Sequence, residues 1–164
     1  MQKVTLRISK STQDFEIGRD LFKQYADSLG FDLDYQNFDE ELNEIHIQYG
    51  YPEGVLIIAY VDDEKPVGCC GVRKLQKEYC ELKRMYVLPK YRGCGIGRKL
   101  LEFSVLKGIE LGYRKMRLDT LDTMEAALHL YKRYGFYEID AYRYNPNTGT
   151  VYLERDLMNE VKDV

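Results

Sequence analysis

One short segment limits the folds that this chain can adopt: an apolar strand that runs into three closely spaced glycines and then into a helix. It reads RMYVLPKYRGCGIGRKLLE over residues 84–102, with glycines at positions 93, 95 and 97. Because glycine lacks a Cβ, successive backbone N–H groups in such a turn can converge on one point, and the helix adds the positive end of its dipole. The segment therefore predicts a phosphate site between a strand and a helix, with an ordinary glycine-rich loop as the alternative.

Length and composition favour one domain. The chain has 164 residues, of which 45% are hydrophobic. This suits a single core, so we expect one domain over residues 1–164. The longest apolar run, VLIIAYV at 55–61, is far too short to cross a bilayer, and we expect no membrane partner.

The four cysteines, Cys69, Cys70, Cys80 and Cys94, lack the paired spacing of a metal site, and the two histidines are far from them in sequence. We therefore expect no metal. The first residues, MQKVTLRISK, do not resemble a secretory leader. This predicts a cytoplasmic protein whose cysteines stay reduced and are buried as small apolar residues.

Charge is distributed unevenly along the chain. Residues 31–53 carry seven acids and no Lys or Arg, whereas residues 83–117 carry ten Lys or Arg against two acids. Such runs are usually solvated faces, but opposite signs in two segments would also suit one cationic and one anionic ligand. A pI near 5.5 argues against nucleic acid as a partner.

The spacing of apolar residues predicts a chain of alternating strands and helices. Strands are expected over 4–9, 55–62, 66–76, 79–88, 113–121, 136–144 and 150–155, and helices over 11–30, 38–48, 96–111 and 123–134. The strands between 55 and 88 should form an antiparallel meander. The strand, helix and strand that follow predict a right-handed parallel crossover, whose ligand site lies beyond the carboxyl ends of the strands. The glycine turn lies at such an end.

Two motifs in this order resemble the GNAT superfamily of acetyl-CoA-dependent N-acetyltransferases. The first is Arg92-x-x-Gly95-x-Gly97 after the strand ELKRMYV, and the second is AALHLYKRYGF one strand later. The resemblance spans about residues 53–137. It implies an α/β (α+β) fold: a mixed, mostly antiparallel sheet of six to seven strands, flanked by about four helices, with one parallel β-α-β crossover at the cofactor site.

The resemblance implies acetyl-CoA as co-substrate, without a metal. The turn would hold the pyrophosphate of coenzyme A through the backbone of Arg92, Gly93, Cys94, Gly95, Ile96, Gly97 and Arg98. The main chain of Met85, Tyr86 and Val87 would pair with the pantetheine arm as another strand does. Tyr131 would also contact the cofactor. The chain has Met124 where many members carry an Asn, which leaves that cofactor contact open.

The resemblance also implies catalytic roles for three residues. Tyr131 would protonate the leaving thiolate, the N–H of Met85 would stabilise the oxyanion, and Glu81 stands where some members carry a glutamate base. Strand alternation predicts that Glu81 shares a face with Lys83, Met85 and Val87. Four residues at about 3.3 Å each separate Glu81 from Met85 by about 13 Å, which requires a bulge or a water relay. A salt-bridged Glu81 and a core-packed Tyr131 are the alternatives.

The activity implied is acetyl transfer from acetyl-CoA to a primary amine of a small molecule or amino acid, by direct attack in a ternary complex. We expect Glu81, Tyr144 and Asn145 to contact this acceptor. Acetylation of a protein N-terminus or lysine is one alternative, and a noncatalytic module that senses coenzyme A is another. The sequence leaves the acceptor and the oligomeric state open, a homodimer included.

Overall fold

A mixed β-sheet organises residues 2–158, the part of the chain that this computed structural model describes. The strands are β1 Val4–Ile8, β2 Val55–Val61, β3 Lys65–Gln76, β4 Tyr79–Val87, β5 Lys115–Leu121, β6 Tyr137–Ile139 and β7 Thr150–Asp156. The helices are α1 Thr12–Ser28, α2 Phe38–Asn43, α3 Ile45–Gln48, α4 Ile96–Glu110 and α5 Glu125–Arg133. The strand order across the sheet is β1-β2-β3-β4-β5-β7-β6.

Each neighbouring pair of strands is antiparallel except β4 and β5, which run parallel and are joined by α4. This confirms the predicted mixed sheet with one parallel crossover. The predicted helix over 38–48 is divided at Glu44, whose backbone leaves the helical region (φ −108°, ψ 20°). Gly135 directly follows the C-cap of α5 with φ 90°, as expected of a glycine that ends a helix.

Two apolar clusters cover the two faces of the sheet. One cluster contains the inward residues of α4 and α5, and the other contains those of α1, α2 and α3. Every residue of β2 is buried, because this central strand has helices on both sides. Small residues let α4 approach closely: Ser104 is fully buried, and a Cβ on Gly108 would lie 3.0 Å from the Met116 side chain.

The strand predicted over 136–144 is shorter than expected, since β6 ends at Ile139. Side chains of the following loop bind other parts of the protein instead. Tyr142 donates to Glu81, Asn145 donates to Asp119, and Asn147 donates to the hydroxyl of Tyr35. These tertiary hydrogen bonds, which strand periodicity does not reveal, position the loop beside β4 and β5.

The expectation that all four cysteines are buried is wrong for one of them. Cys69, Cys70 and Cys80 are buried, but Cys94 lies exposed in the glycine turn. All four are free thiols. Within residues 2–158, no helix is long and apolar enough to span a membrane, and no group of three or more His, Cys, Asp or Glu side chains could hold a metal ion.

Gly71 should be intolerant of a side chain. A Cβ at this position would lie 2.4 Å from a ring carbon of Tyr49, which is fully buried and donates a hydrogen bond to Glu41. We expect Gly71→Ala to lower the free energy of unfolding by about 1–3 kcal/mol in urea titrations, because the core becomes overpacked. Gly97→Ala is the matched control: its nearest neighbour is 3.9 Å away, so stability should not fall. Equal stability of the two variants would contradict this packing argument.

Candidate active site

Strands β4 and β5 pair only at their beginnings and then separate. The paired positions are Tyr79 with Lys115, Cys80 with Met116 and Glu81 with Arg117, whereas β4 continues to Val87 and β5 to Leu121. The N–H of Leu88 donates to Val67 on the β3 side. Because backbone groups of successive residues point to opposite edges of a strand, the N–H and C=O of Val87 and Met85 face the gap beside β5.

The glycine turn lies at the far end of this gap. Gly93 and Gly95 both have φ of 81°, a conformation that favours glycine, and Gly95 is the N-cap of α4. Within the described chain, none of the N–H groups of residues 93–98 has a hydrogen-bond acceptor. The Arg92 guanidinium donates to the carbonyl of Val87 at 2.9 Å and thereby ties the turn to β4. Free donors at a helix N-terminus fit a pyrophosphate group.

The side chains of the turn differ in exposure. Arg92, Cys94 and Arg98 are exposed, Gly97 is half-buried, and Ile96 is buried in the core beneath α4. Arg98 forms an ion pair with Glu102 at 3.3 Å. Tyr86 is also buried, and its ring faces Tyr25 of α1. An anionic ligand can therefore reach the backbone of this segment and the exposed side chains of Arg92 and Arg98.

Tyr131 projects from α5 into the core cluster against which Met85 and Val87 pack. Its side chain is buried beside Phe136, and its hydroxyl forms no hydrogen bond within the described residues. Burial raises the pKa of Tyr131 well above its ordinary value. The hydroxyl therefore stays protonated and keeps its proton available for donation.

A bulge in β4 alters the predicted faces of the strand. Arg84 has φ of 58°, and the pairing with β3 shifts between Lys83 and Tyr86. Glu81, Lys83 and Arg84 consequently lie on the side of α2, whereas Met85 and Val87 pack against the opposite cluster. The expectation that Glu81 shares a face with Met85 and Val87 is wrong, because the extra residue of the bulge reverses the alternation.

Glu81 is fully buried, and both of its carboxylate oxygens have partners. Oε1 accepts from Arg73 at 3.2 Å, while Oε2 accepts from Tyr142 at 2.7 Å and pairs with Arg143 at 2.5 Å. Burial by itself would raise the pKa of Glu81, but the positive charges of Lys83, Arg73 and Arg143 lower it to about 2. This environment matches the salt-bridged alternative, and a carboxylate with so low a pKa is a weak base.

Glu81 belongs to a larger set of ion pairs, here called the arginine cluster. Its members are Arg73, Arg84 and Arg143 together with Glu41 and Glu81. Glu41 is 1% exposed in its side chain and accepts two hydrogen bonds from Arg84, at 2.8 and 3.0 Å. Arg73 reaches both carboxylates, at 3.4 Å to Glu41 and 3.1 Å to Glu81. Among the acids of residues 31–53, Glu41 therefore faces inward, whereas Asp32, Asp34, Asp39 and Glu40 are exposed.

A polar cavity, here called the acceptor cavity, occupies the gap just beyond the last β4–β5 pair. Its lining includes Tyr35, Gln36, Lys83, Asp119, Met124 and Asn145. Lys83 donates to Gln36 at 3.0 Å and lies 3.9 Å from Asp119, whose other oxygen accepts from Asn145 at 3.1 Å. Burial lowers the pKa of Lys83 to about 8, although Glu81 and Asp119 act in the opposite direction.

The structure places the two predicted acceptor contacts of the last loop differently. Asn145 lines the acceptor cavity, whereas Tyr144 is 78% exposed and lines an adjoining open groove with Arg73 and Arg143. Sequence reasoning missed Arg73, Lys83, Arg84, Asp119 and Arg143. Lys83 and Arg84 did carry a signal, since two consecutive cations inside an otherwise apolar strand must either reach solvent or be paired.

The sequence matches the Acetyltransferase (GNAT) family over residues 19–136. The chain belongs to this family. It is 34% identical to an uncharacterised N-acetyltransferase of Schizosaccharomyces pombe, over 94% of this chain and 95% of that protein. As a member of the family, the protein is an acetyl-CoA-dependent N-acetyltransferase.

Solved structures agree on the fold. A GNAT acetyltransferase of Staphylococcus aureus superposes with a TM-score of 0.77 at 22% identity, covering 94% of this chain and 99% of that one. A GNAT acetyltransferase of Elizabethkingia anophelis, solved with acetyl-CoA bound, superposes with a TM-score of 0.68 at 23% identity, covering 93% and 97%. The diverging strands and the glycine turn thus occur on a GNAT fold.

Glu81→Gln should destabilise the protein in a pH-dependent way. A carboxylate whose pKa falls from 4.5 to about 2 on folding contributes on the order of 3 kcal/mol at neutral pH, and this contribution is lost as the pH falls from about 4.5 to about 2. Urea unfolding should show that the variant is less stable at pH 7 and loses less stability on acidification. Glu78→Gln, at an exposed ion pair, is the control. Identical behaviour of both variants would refute a structural role for Glu81.

Proposed function

We propose that the enzyme transfers the acetyl group to a primary amine of a small molecule, by direct attack in a ternary complex. The arrangement along the β4–β5 gap carries this proposal. The acceptor cavity adjoins residues 82–84, the gap-facing backbone of Met85 and Val87 comes next, and the glycine turn follows. An amine in the cavity would therefore meet the cofactor's thioester inside the gap.

The enclosure of the acceptor cavity favours a small acceptor. Its walls include Phe31, Leu33 and Tyr35 from the segment after α1, and Asn145 and Asn147 from the loop before β7. Asn147 donates to the hydroxyl of Tyr35 at 3.0 Å, which joins the two segments. A lysine or N-terminus of a folded protein would have to pass between them, whereas a small amine needs no such opening.

The residues predicted to hold acetyl-CoA fit that role. We assign the pyrophosphate to the N–H groups of residues 93–98, because the N–H of Arg92 already donates to the carbonyl of Pro89. We assign the pantetheine arm to the main chain of Met85 and Val87, because the backbone of Tyr86 between them faces β3. Bound acetyl-CoA supplies an activated acetyl thioester. The N–H of Met85 would donate to the carbonyl oxygen as negative charge develops on it, and one such preorganised donor is worth about 10² to 10³ in rate.

Tyr131 is our candidate for the acid that protonates the departing sulfur. Its raised pKa keeps the hydroxyl protonated but also makes it a weaker acid. Transfer to the sulfur therefore requires that desolvation raise the basicity of the thiolate as well. The acceptor amine must also lose a proton, which costs about 4.6 kcal/mol at pH 7 for an alkyl amine of pKa ~10.4. We assign Glu81 to the arginine cluster rather than to this proton transfer, because its pKa of about 2 makes it a weak base.

The proposal is tested by thiol release from acetyl-CoA and from longer acyl-CoAs, against panels of small amines and of peptides. We expect turnover with small amines and little with peptides. Peptide-only turnover would favour acetylation of a protein N-terminus or lysine. Binding of acetyl-CoA without turnover of any amine would instead indicate a coenzyme A sensor.

Tyr131→Phe should separate catalysis from binding. The substitution removes only the hydroxyl, so the buried ring still fills the core. We expect kcat to fall tenfold or more, while the affinity for acetyl-CoA, measured by calorimetry, stays nearly unchanged. Tyr134→Phe, which removes a hydroxyl from the neighbouring turn, is the control and should retain activity. Full activity of Tyr131→Phe would remove this residue from the mechanism.

A further inference from the structure

We propose that the acceptor carries a carboxylate as well as its amine, and that Arg143 together with Arg73 binds this carboxylate. The inference rests on the proposed function and narrows it to amino acids and related amino carboxylates. It derives from the charge balance of the arginine cluster, from the exposure of its members and from the position of the groove that they line.

The arginine cluster holds more positive than negative charge. Three guanidinium groups share two carboxylates: Arg84 pairs with Glu41, Arg143 pairs with Glu81, and Arg73 lies between the two acids. Lys83 and Asp119 form a separate ion pair nearby, so they do not change the net charge of the cluster. The five members of the cluster therefore carry one net positive charge, which is costly in a partly buried position. Glu40 lines the same groove, but its side chain is exposed and forms no ion pair with the cluster among the described residues.

The excess charge lies on the two arginines that face open space. The side chain of Arg84 is 3% exposed and both of its hydrogen bonds go to Glu41, whereas those of Arg73 and Arg143 are 17% and 22% exposed. Both of these arginines line the same open groove. The Nε of Arg143 is buried and has no acceptor within residues 2–158, so the protein leaves part of this guanidinium's donor capacity unused.

The groove adjoins the acceptor cavity. Tyr35 and Gln36 line both spaces, and Tyr144 borders the groove with an exposed ring. A molecule whose amine lies in the cavity can therefore extend past Gln36 toward Arg143. This geometry gives one ligand two distinct contacts: an amine end at the thioester and an anionic end at the arginines.

A carboxylate matches this site better than a phosphate. One carboxylate supplies the single negative charge that the cluster lacks, whereas a phosphate monoester carries close to two charges at neutral pH. The planar guanidinium also presents parallel donors that suit the two oxygens of a carboxylate. The same arrangement would not favour a simple alkyl amine or a polyamine, because their positive charges would add to the excess.

The test compares acceptors in matched pairs, each an amino carboxylate and its carboxamide. 6-Aminohexanoate with 6-aminohexanamide, and lysine with lysinamide, keep the reacting amine and change only the charge at the other end. We expect the wild-type enzyme to have a KM at least tenfold lower for the carboxylate member of a pair. Equal KM values within every pair would overturn the inference while leaving the acetyltransferase proposal intact.

Arg143→Gln should abolish this discrimination. We expect the KM of the carboxylate to rise by about tenfold or more, with the KM of the carboxamide and both kcat values nearly unchanged. Arg143→Lys keeps the charge and should restore part of the preference. Arg114→Gln removes an exposed arginine before β5 and should behave as wild type. A merely structural role would instead weaken both members of a pair equally, and that result would overturn the proposal.

Two further outcomes are also decisive. If Arg143→Gln does not fold, the matched acceptor pairs assayed with the wild-type enzyme still decide whether a carboxylate is preferred. Arg143→Lys then decides whether the planar guanidinium group is needed. If the wild-type enzyme turns over no amine at all, the proposed function fails first, and the carboxylate site falls with it.

Discussion

The divergence of β4 from β5 is the constraint on which the site depends, and a buried ion pair sustains it. Arg84 holds a left-handed backbone conformation that is unfavourable for a residue with a side chain. Its guanidinium is buried and donates hydrogen bonds to both carboxylate oxygens of Glu41. Loss of one partner would leave an uncompensated buried charge, which typically costs 3–5 kcal/mol. The pair therefore fixes both the bulge and the position of α2 above it.

The bulge has two consequences for function. Beyond it, the backbone groups of Met85 and the N–H of Val87 face the gap, where a ligand can satisfy them, while the carbonyl of Val87 accepts from Arg92. Before it, Glu81 and Lys83 face the opposite side of the sheet, where α2 and the loop before β7 close over them. One irregularity in one strand thus separates a gap lined by backbone, to which we assign the cofactor, from a region of charged side chains, here called the charged region.

The charged region combines elements that are distant along the chain. Glu41 comes from α2, Arg73 from β3, Asp119 from β5 and Arg143 from the loop before β7. The neighbouring cations lower the pKa of Glu81, whereas burial lowers the pKa of Lys83 against the opposing effect of Glu81 and Asp119. Such a set of groups can favour ligands by charge, because each member is held by its neighbours and has little freedom to reorient.

The sequence by itself determined the fold class, the glycine turn and the order of strands and helices. The fold class follows from the resemblance of two motifs to the GNAT superfamily. The glycine turn and the order of elements follow from local spacing: apolar periodicity, glycines before a helix, and a glycine after one. The sequence did not reveal the reversed faces of β4, the exposed Cys94 or the early end of β6. The expectation of one domain over 1–164 stays a prediction. Only the tertiary structure decided the charged region, because pairing among Glu41, Arg73, Glu81, Arg84 and Arg143 depends on distances that no local pattern encodes.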